Sequence, residues 1–183
     1  GQIREDLIPS DAQRACASLR IRGDQVFTDL TSHDEKRVPT GTLALDKRDG
    51  SVRWFTPHEK GGPRLVTPVL LDVPSFPSDS RTEARGQTAV LPVLVNYNAE
   101  ILEQATGRRL GKLPQKRGDW YYPLVWGDRV VVGVNTEKSA WTSVFRLEAD
   151  AKGGIAVVEE TGFAVHSSRF PWARTDQFIF GGE

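Results

Sequence analysis

The chain has 183 residues, enough for one domain with its own core, and its 24 Lys and Arg balance 24 Asp and Glu. No whole-chain field therefore steers it toward nucleic acid or an anionic membrane. A single cysteine, Cys16, excludes an internal disulfide and the multi-cysteine zinc patterns, and the longest apolar runs, near 66–73 and 130–134, have strand length rather than membrane-spanning length.

In chain order, Pro9-Ser10-Asp11 before Ala12-Gln13-Arg14-Ala15-Cys16-Ala17 reads as a helix N-cap and a short helix, so 1–17 is expected to be an N-terminal extension. The next unit, 18–57, holds an apolar run from Ser18 to Ile21, a Gly23-Asp24 turn, a strand at Gln25-Val26-Phe27, a turn-rich stretch from Thr31 to Thr40, and the motif Ala44-Leu45-Asp46-Lys47-Arg48-Asp49-Gly50-Ser51-Val52-Arg53-Trp54. A second unit, 65–114, carries a long irregular loop from Asp72 to Gln87 and a weaker copy of the motif at Ile101-Leu102-Glu103-Gln104-Ala105-Thr106-Gly107. The third, 121–161, opens with Pro123 to Trp126 and Gly127-Asp128-Arg129-Val130-Val131, and its copy of the motif runs from Arg146-Leu147-Glu148 to Gly153-Gly154. A partial fourth, 167–183, has Phe170 to Trp172 and then Thr175-Asp176-Gln177-Phe178-Ile179.

Each unit spells strand, tight turn, strand, loop, strand, Gly turn, strand. Four short antiparallel strands repeating at intervals of about 40–50 residues make the blade of a β-propeller. The expected fold is all-β, an incomplete arc of about three and a half blades. Since ~4 to 8 blades close a ring, and since Met is absent even at position 1, the chain is expected to be a piece or a processed subunit whose missing blades come from elsewhere.

Ala44, Asp46, Gly50 and Trp54 resemble the quinoprotein-type propeller repeat, whose pattern is Ala, any residue, Asp, two of any kind, Thr-Gly, three of any kind, Trp; Asp49 stands in the Thr position. The resemblance implies that Asp46 caps a turn and that Trp54 lies flat between neighbouring blades. The second copy departs from the pattern with Gly111 in the Trp position, and the third keeps Leu147, Glu148 and the glycines. Because members of that family include scaffolds of bacterial envelope machinery and secreted proteins, it also implies an extracytoplasmic location.

Candidate chemistry is sparse. His33 with Asp34 and Glu35, His58 with Glu59, and His166 before Ser167-Ser168 have no second imidazole at metal spacing, and no Gly-x-Ser-x-Gly elbow is present. Catalytic, cofactor-binding and metal residues are each expected to be none. Arg108-Arg109, Lys112 and Lys116-Arg117 read as a solvated face, with an acidic partner or phosphate as the other reading. Trp120-Tyr121-Tyr122, Trp126, Trp141 and Trp172 read as blade packing, with interface anchoring as the alternative. The function expected is a non-catalytic propeller segment acting as a protein-interaction scaffold, with protein partners or further blades completing the ring.

Two alternatives stand beside it. One is a fragment of a quinone-dependent dehydrogenase, which the resemblance would furnish with pyrroloquinoline quinone and calcium in a central channel and an Asp as base; a chain with one cysteine lacks the adjacent Cys-Cys pair of many alcohol-oxidising members. The other is a propeller hydrolase or carbohydrate-binding protein using loop carboxylates such as Asp34, Glu35 or Asp79.

Overall fold

A computed structural model describes residues 14–31, 39–59, 64–65, 67–75, 89–114, 120–135, 140–165, 173–174 and 179–180. The protein is all-β, with no helix among the described residues. Three four-stranded antiparallel meanders follow one another along the chain, the third extended by a short parallel strand, and among the described residues they do not close into a ring.

The first sheet contains β1 (Arg14–Arg22), β2 (Gln25–Thr31), β3 (Pro39–Asp46) and β4 (Val52–Pro57). After the two-residue strand β5 (Arg64–Leu65) comes the second sheet, of β6 (Val69–Ser75), β7 (Ala89–Val95), β8 (Glu100–Glu103) and β9 (Arg109–Lys112). The third has β10 (Trp120–Trp126), β11 (Arg129–Asn135), β12 (Ala140–Ala149) and β13 (Ile155–Val165). A hairpin of β14 (Ala173–Arg174) and β15 (Ile179–Phe180) falls in the partial fourth unit. The Thr31–Thr40 and Asp72–Gln87 loops, together with His33, Asp34, Glu35, Asp79, Lys116, Arg117, His166 and Trp172, lie mainly or wholly outside the described residues.

The repeated turns hold to within a few degrees. Gly23 and Gly127 open two-residue hairpins at φ 60° and 61°, and the following Asp keeps negative φ, as the II′ class requires. Gly50, Gly107 and Gly153 take φ of 72°, 74° and 78° in the turns between third and fourth strands. In each such turn an acidic residue exchanges backbone bonds with the far side: Gly50 N donates to Asp46 O at 2.8 Å, Gly107 N to Glu103 O at 2.9 Å, and Gly153 N to Asp150 O at 3.1 Å.

Two sequence expectations need correction. Residues 14–17, expected in a short helix, belong to β1. Six residues are too few to sustain a helix alone, whereas the edge of β2 offers them a ladder from Arg14↔Thr31 to Arg22↔Gln25. In the third repeat the turn acid is Asp150, not Glu148: Asp150 Oδ1 accepts the Lys152 and Gly154 amides, both at 2.8 Å. Here the turn is one residue shorter, which hid the match.

Packing follows the two faces of each sheet. Phe27, Ala44 and Trp54 of the first sheet meet Leu70, Leu94 and Leu102 of the second. The opposite face of the second sheet, with Val69, Leu71, Val93 and Ile101, packs on Val130, Val132, Phe145 and Leu147 of the third in the largest core. β5 bridges the second and third units by pairing parallel to the inner strand β10. Arg20 and Arg22 of β1 reach across to the second sheet, Arg20 Nε donating to Pro68 O at 2.8 Å and Arg22 pairing with Asp72.

Candidate functional site

Phe27 and Ala44 share a buried face, and along the same face β2 and β3 next place Asp29 opposite Thr42. Strand alternation therefore carries two polar side chains into the boundary between the first and second sheets. There they meet His58, just beyond β4, and the turn 96–99 between β7 and β8.

The hydrogen bonding is dense. Thr42 Oγ1 donates to Asp29 Oδ1 at 2.6 Å, and the Tyr97 amide donates to Asp29 Oδ2 at 3.1 Å. Asn96 Nδ2 donates to Thr42 Oγ1 at 3.0 Å and to Glu100 Oε2 at 2.8 Å, while Asn96 Oδ1 accepts the Glu100 amide at 2.8 Å. Glu100 Oε1 accepts the Glu59 amide at 2.9 Å and Arg109 Nε at 3.2 Å. Arg109 also donates to Pro57 O, and Asn98 Nδ2 to Glu59 O at 2.8 Å.

His58 Nε2 lies 3.0 Å from Thr42 Oγ1 and 3.3 Å from Asp29 Oδ1, its side chain 3% exposed. The single Thr42 hydroxyl proton is given to Asp29, so Nε2 must carry the proton of its own contact with Thr42. Nδ1 is buried without a hydrogen-bond partner among the described residues. The cluster also fixes backbone: buried Ala99 adopts φ 59°, its amide donating to Asn96 O at 3.0 Å and its carbonyl accepting from Leu113 N at 2.9 Å. A non-glycine residue in that region is held there by its surroundings.

Each carboxylate is held by three contacts within the protein, Asp29 by Thr42, His58 and Tyr97 and Glu100 by Asn96, Glu59 and Arg109, an arrangement that works as a latch. It ties the exit of the first sheet, 57–59, to the turn of the second. Among the described residues no group of three or more His, Cys, Asp or Glu could hold a metal ion.

Asp46 caps its turn as expected, whereas the Glu103 carboxylate accepts the Thr106 hydroxyl and the Arg108 amide donates to Thr106 Oγ1 at 3.2 Å. Asp46 Oδ1 accepts the Arg48 amide at 2.9 Å and Arg48 Nε at 3.0 Å; Oδ2 accepts Arg48 Nη2 at 2.8 Å and Arg53 Nη2 at 2.7 Å. The Arg48 guanidinium, then that of Arg53, holds the Asp46 carboxyl far below the usual carboxylate range. Arg53 likewise lowers Asp24. Trp54, 7% exposed, packs its ring against Phe27 with centroids 5.9 Å apart, and its Nε1 donates to Gln104 O at 3.0 Å.

Of the basic cluster, Arg108 keeps its side chain 55% exposed and Arg109 is partly buried. Arg108 Nη1 donates to Gly153 O at 3.1 Å and Arg109 serves Glu100 and Pro57. At the inner edges of the sheets an open groove of about 770 Å³ is lined by Ile21, Arg22, Leu70, Asp72, Val125 and Asp128. Its two carboxylates are engaged, Asp72 by Arg22 and Asp128 by Arg129.

The far face of the first sheet is buried at Thr28, Leu30 and Leu43 and open at its β1 end. It carries Leu30, Leu43, Leu45, Val52 and Phe55 as one apolar cluster, and Leu19 and Ile21 stand 57% and 58% exposed beside it. Sequence reading set His58 aside and did not single out Asp29, Thr42, Asn96 or Glu100. The available signal was Glu100 directly before Ile101-Leu102, an acid entering an apolar strand. No protein-family model matches the chain, and a search of curated proteins finds no match.

Proposed function

We propose that this chain is a non-catalytic interaction scaffold, a run of propeller blades that completes its ring with blades from outside the described arc. One observation carries the reading: Leu19 and Ile21, more than half exposed, extend an apolar sheet face whose counterpart on the second sheet is covered by Phe27, Ala44 and Trp54. Large apolar side chains left open in a cluster mark an interaction surface. The buried cluster adds support, since the bonds to its carboxylates tie the first sheet to the second.

The resemblance to quinoprotein-type repeats, carried by Ala44, Asp46, Gly50 and Trp54, supports an extracytoplasmic location, and the single cysteine, without the adjacent Cys-Cys pair of many alcohol-oxidising members, weighs against the dehydrogenase reading. Native mass spectrometry of assemblies containing the chain, with every component identified by peptide sequencing, tests the proposal. Further blade-bearing chains in the assembly are the expected result. A lone monomer at working concentration would count against it.

A further inference from the structure

The register of the second sheet decides which backbone groups of β6 face the groove at the inner edges. Pro92 O accepts the Gln104 amide at 3.0 Å, so the backbone of Pro92 bonds on the β8 side. Successive residues of an antiparallel strand bond to opposite neighbours. Val93 therefore turns to β6 and bonds with Leu71, while the pairs Asp72↔Pro92, Leu70↔Leu94 and Pro74↔Val90 are the non-bonded kind. The N–H and C=O of Leu70 and Asp72, and Pro74 O, consequently point away from β7 at the free side of β6. Pro74 sits where its missing N–H takes nothing from the ladder, as proline on an edge strand does.

Leu70, Asp72 and Pro74 are also residues that line the groove of about 770 Å³, with Ile21 of β1 on one side and Val125 of β10 on the other. The charges beside it are already paired, Arg22 with Asp72 and Arg129 with Asp128. What the groove offers is thus a row of backbone donors and acceptors at strand spacing between apolar walls. The neighbouring inner edge shows such a row taking a strand: β5 pairs parallel with β10 through Trp120↔Arg64 and Tyr121↔Leu65. Among the described residues no strand pairs with the inner edge of β6. An open edge of this kind is a template for strand addition.

We propose that the groove receives an extended, uncharged segment of a protein partner, which adds to β6 as a strand by bonding to the backbone of Leu70 and Asp72 and to Pro74 O. Side chains of an added strand alternate between the Ile21 wall and the Val125 wall. β-branched residues suit both walls. Charge on the segment is disfavoured because Asp72 and Asp128 already have their arginines. The site lies on the second sheet, and its test does not depend on the composition of the native assembly, so it goes beyond the scaffold reading.

The probe is a capped peptide of about six alternating threonine and valine residues, titrated against the full chain while amide hydrogen exchange is read residue by residue by NMR. In the free chain the Leu70 and Asp72 amides should exchange quickly and those of Leu71 and Val73, bonded to β7, slowly. With the peptide bound, Leu70 and Asp72 should slow at least tenfold. Methylating alternate backbone amides of the peptide should weaken binding at least tenfold, and so should Ile21→Asp, at a side chain 58% exposed, with an unchanged urea midpoint establishing that the variant folds. Leu70 and Asp72 amides that are already slow in the free chain, a peptide that fails to bind at millimolar concentration, or equal binding of the methylated peptide would each overturn the proposal.

Discussion

Gly107→Ala and Gly50→Ala form a matched pair that separates packing from backbone strain. Both glycines sit at nearly the same positive φ, 74° and 72°, so the left-handed penalty of roughly 1–2 kcal/mol is common to the two variants and cancels in their difference. Around Gly50 the new methyl group meets open space, whereas at Gly107 it would lie 2.5 Å and 2.7 Å from Trp54 ring carbons and 2.6 Å from Thr56 Oγ1. The indole cannot slide freely, because Nε1 is bonded to Gln104 O and the ring leans on Phe27. Overpacking of this kind costs ~1–3 kcal/mol, and displacing the indole hydrogen bond adds about 1. Gly107→Ala should therefore destabilise by roughly 3–6 kcal/mol and Gly50→Ala by roughly 1–2, read from urea unfolding with a shared slope. Adding Trp54→Ala to Gly107→Ala removes the clash, so the double variant should lose less than the sum of the single losses. Equal costs for the two glycine variants, or strict additivity in the double variant, would refute the reasoning.

Trp54→Ala should cost ~3–5 kcal/mol by urea unfolding and Trp54→Phe distinctly less, since phenylalanine keeps most of the buried ring and loses the bond to Gln104 O. Glu100→Gln should destabilise by ~1–3 kcal/mol, because an amide places donors against Asn96 Nδ2 or Arg109; Glu59→Gln, whose side chain is 57% exposed, should stay within about 0.5 kcal/mol. Acid should weaken the fold through Asp46, Asp24 and Glu160, whose carboxyls are all held below their ordinary values by arginines. A lowered folded-state pKa contributes stability that is present above the unfolded value near 4 and is lost as pH falls below it. Urea midpoints measured from pH 6 to pH 2.5 should therefore drop, and Arg53→Gln should flatten the slope.

Local chemistry wrote much of the architecture into the sequence. Gly23-Asp24 and Gly127-Asp128 announce hairpins because only glycine enters the first turn position without strain, and Asp46 with Gly50 fixes the later turn in the same local way. Where tertiary partners decide, the sequence misleads. Arg14 to Ala17 has helix-compatible composition, yet the edge of β2 recruits it as strand. The parallel pairing of β5 with β10 joins segments more than fifty residues apart and leaves no periodic trace. The buried cluster was illegible for the same reason: Asp29, Thr42, His58 and Asn96 come from four separate segments, and each taken alone looks like an ordinary strand or turn residue.

The central claim is that the far face of the first sheet is an interface. Hydroxyl-radical footprinting read at Leu19 and Ile21 tests it most directly, comparing the isolated chain with the native assembly. Strong labelling in the isolated chain and protection in the assembly is the result the account predicts. Equal labelling of both residues in the two states would contradict it.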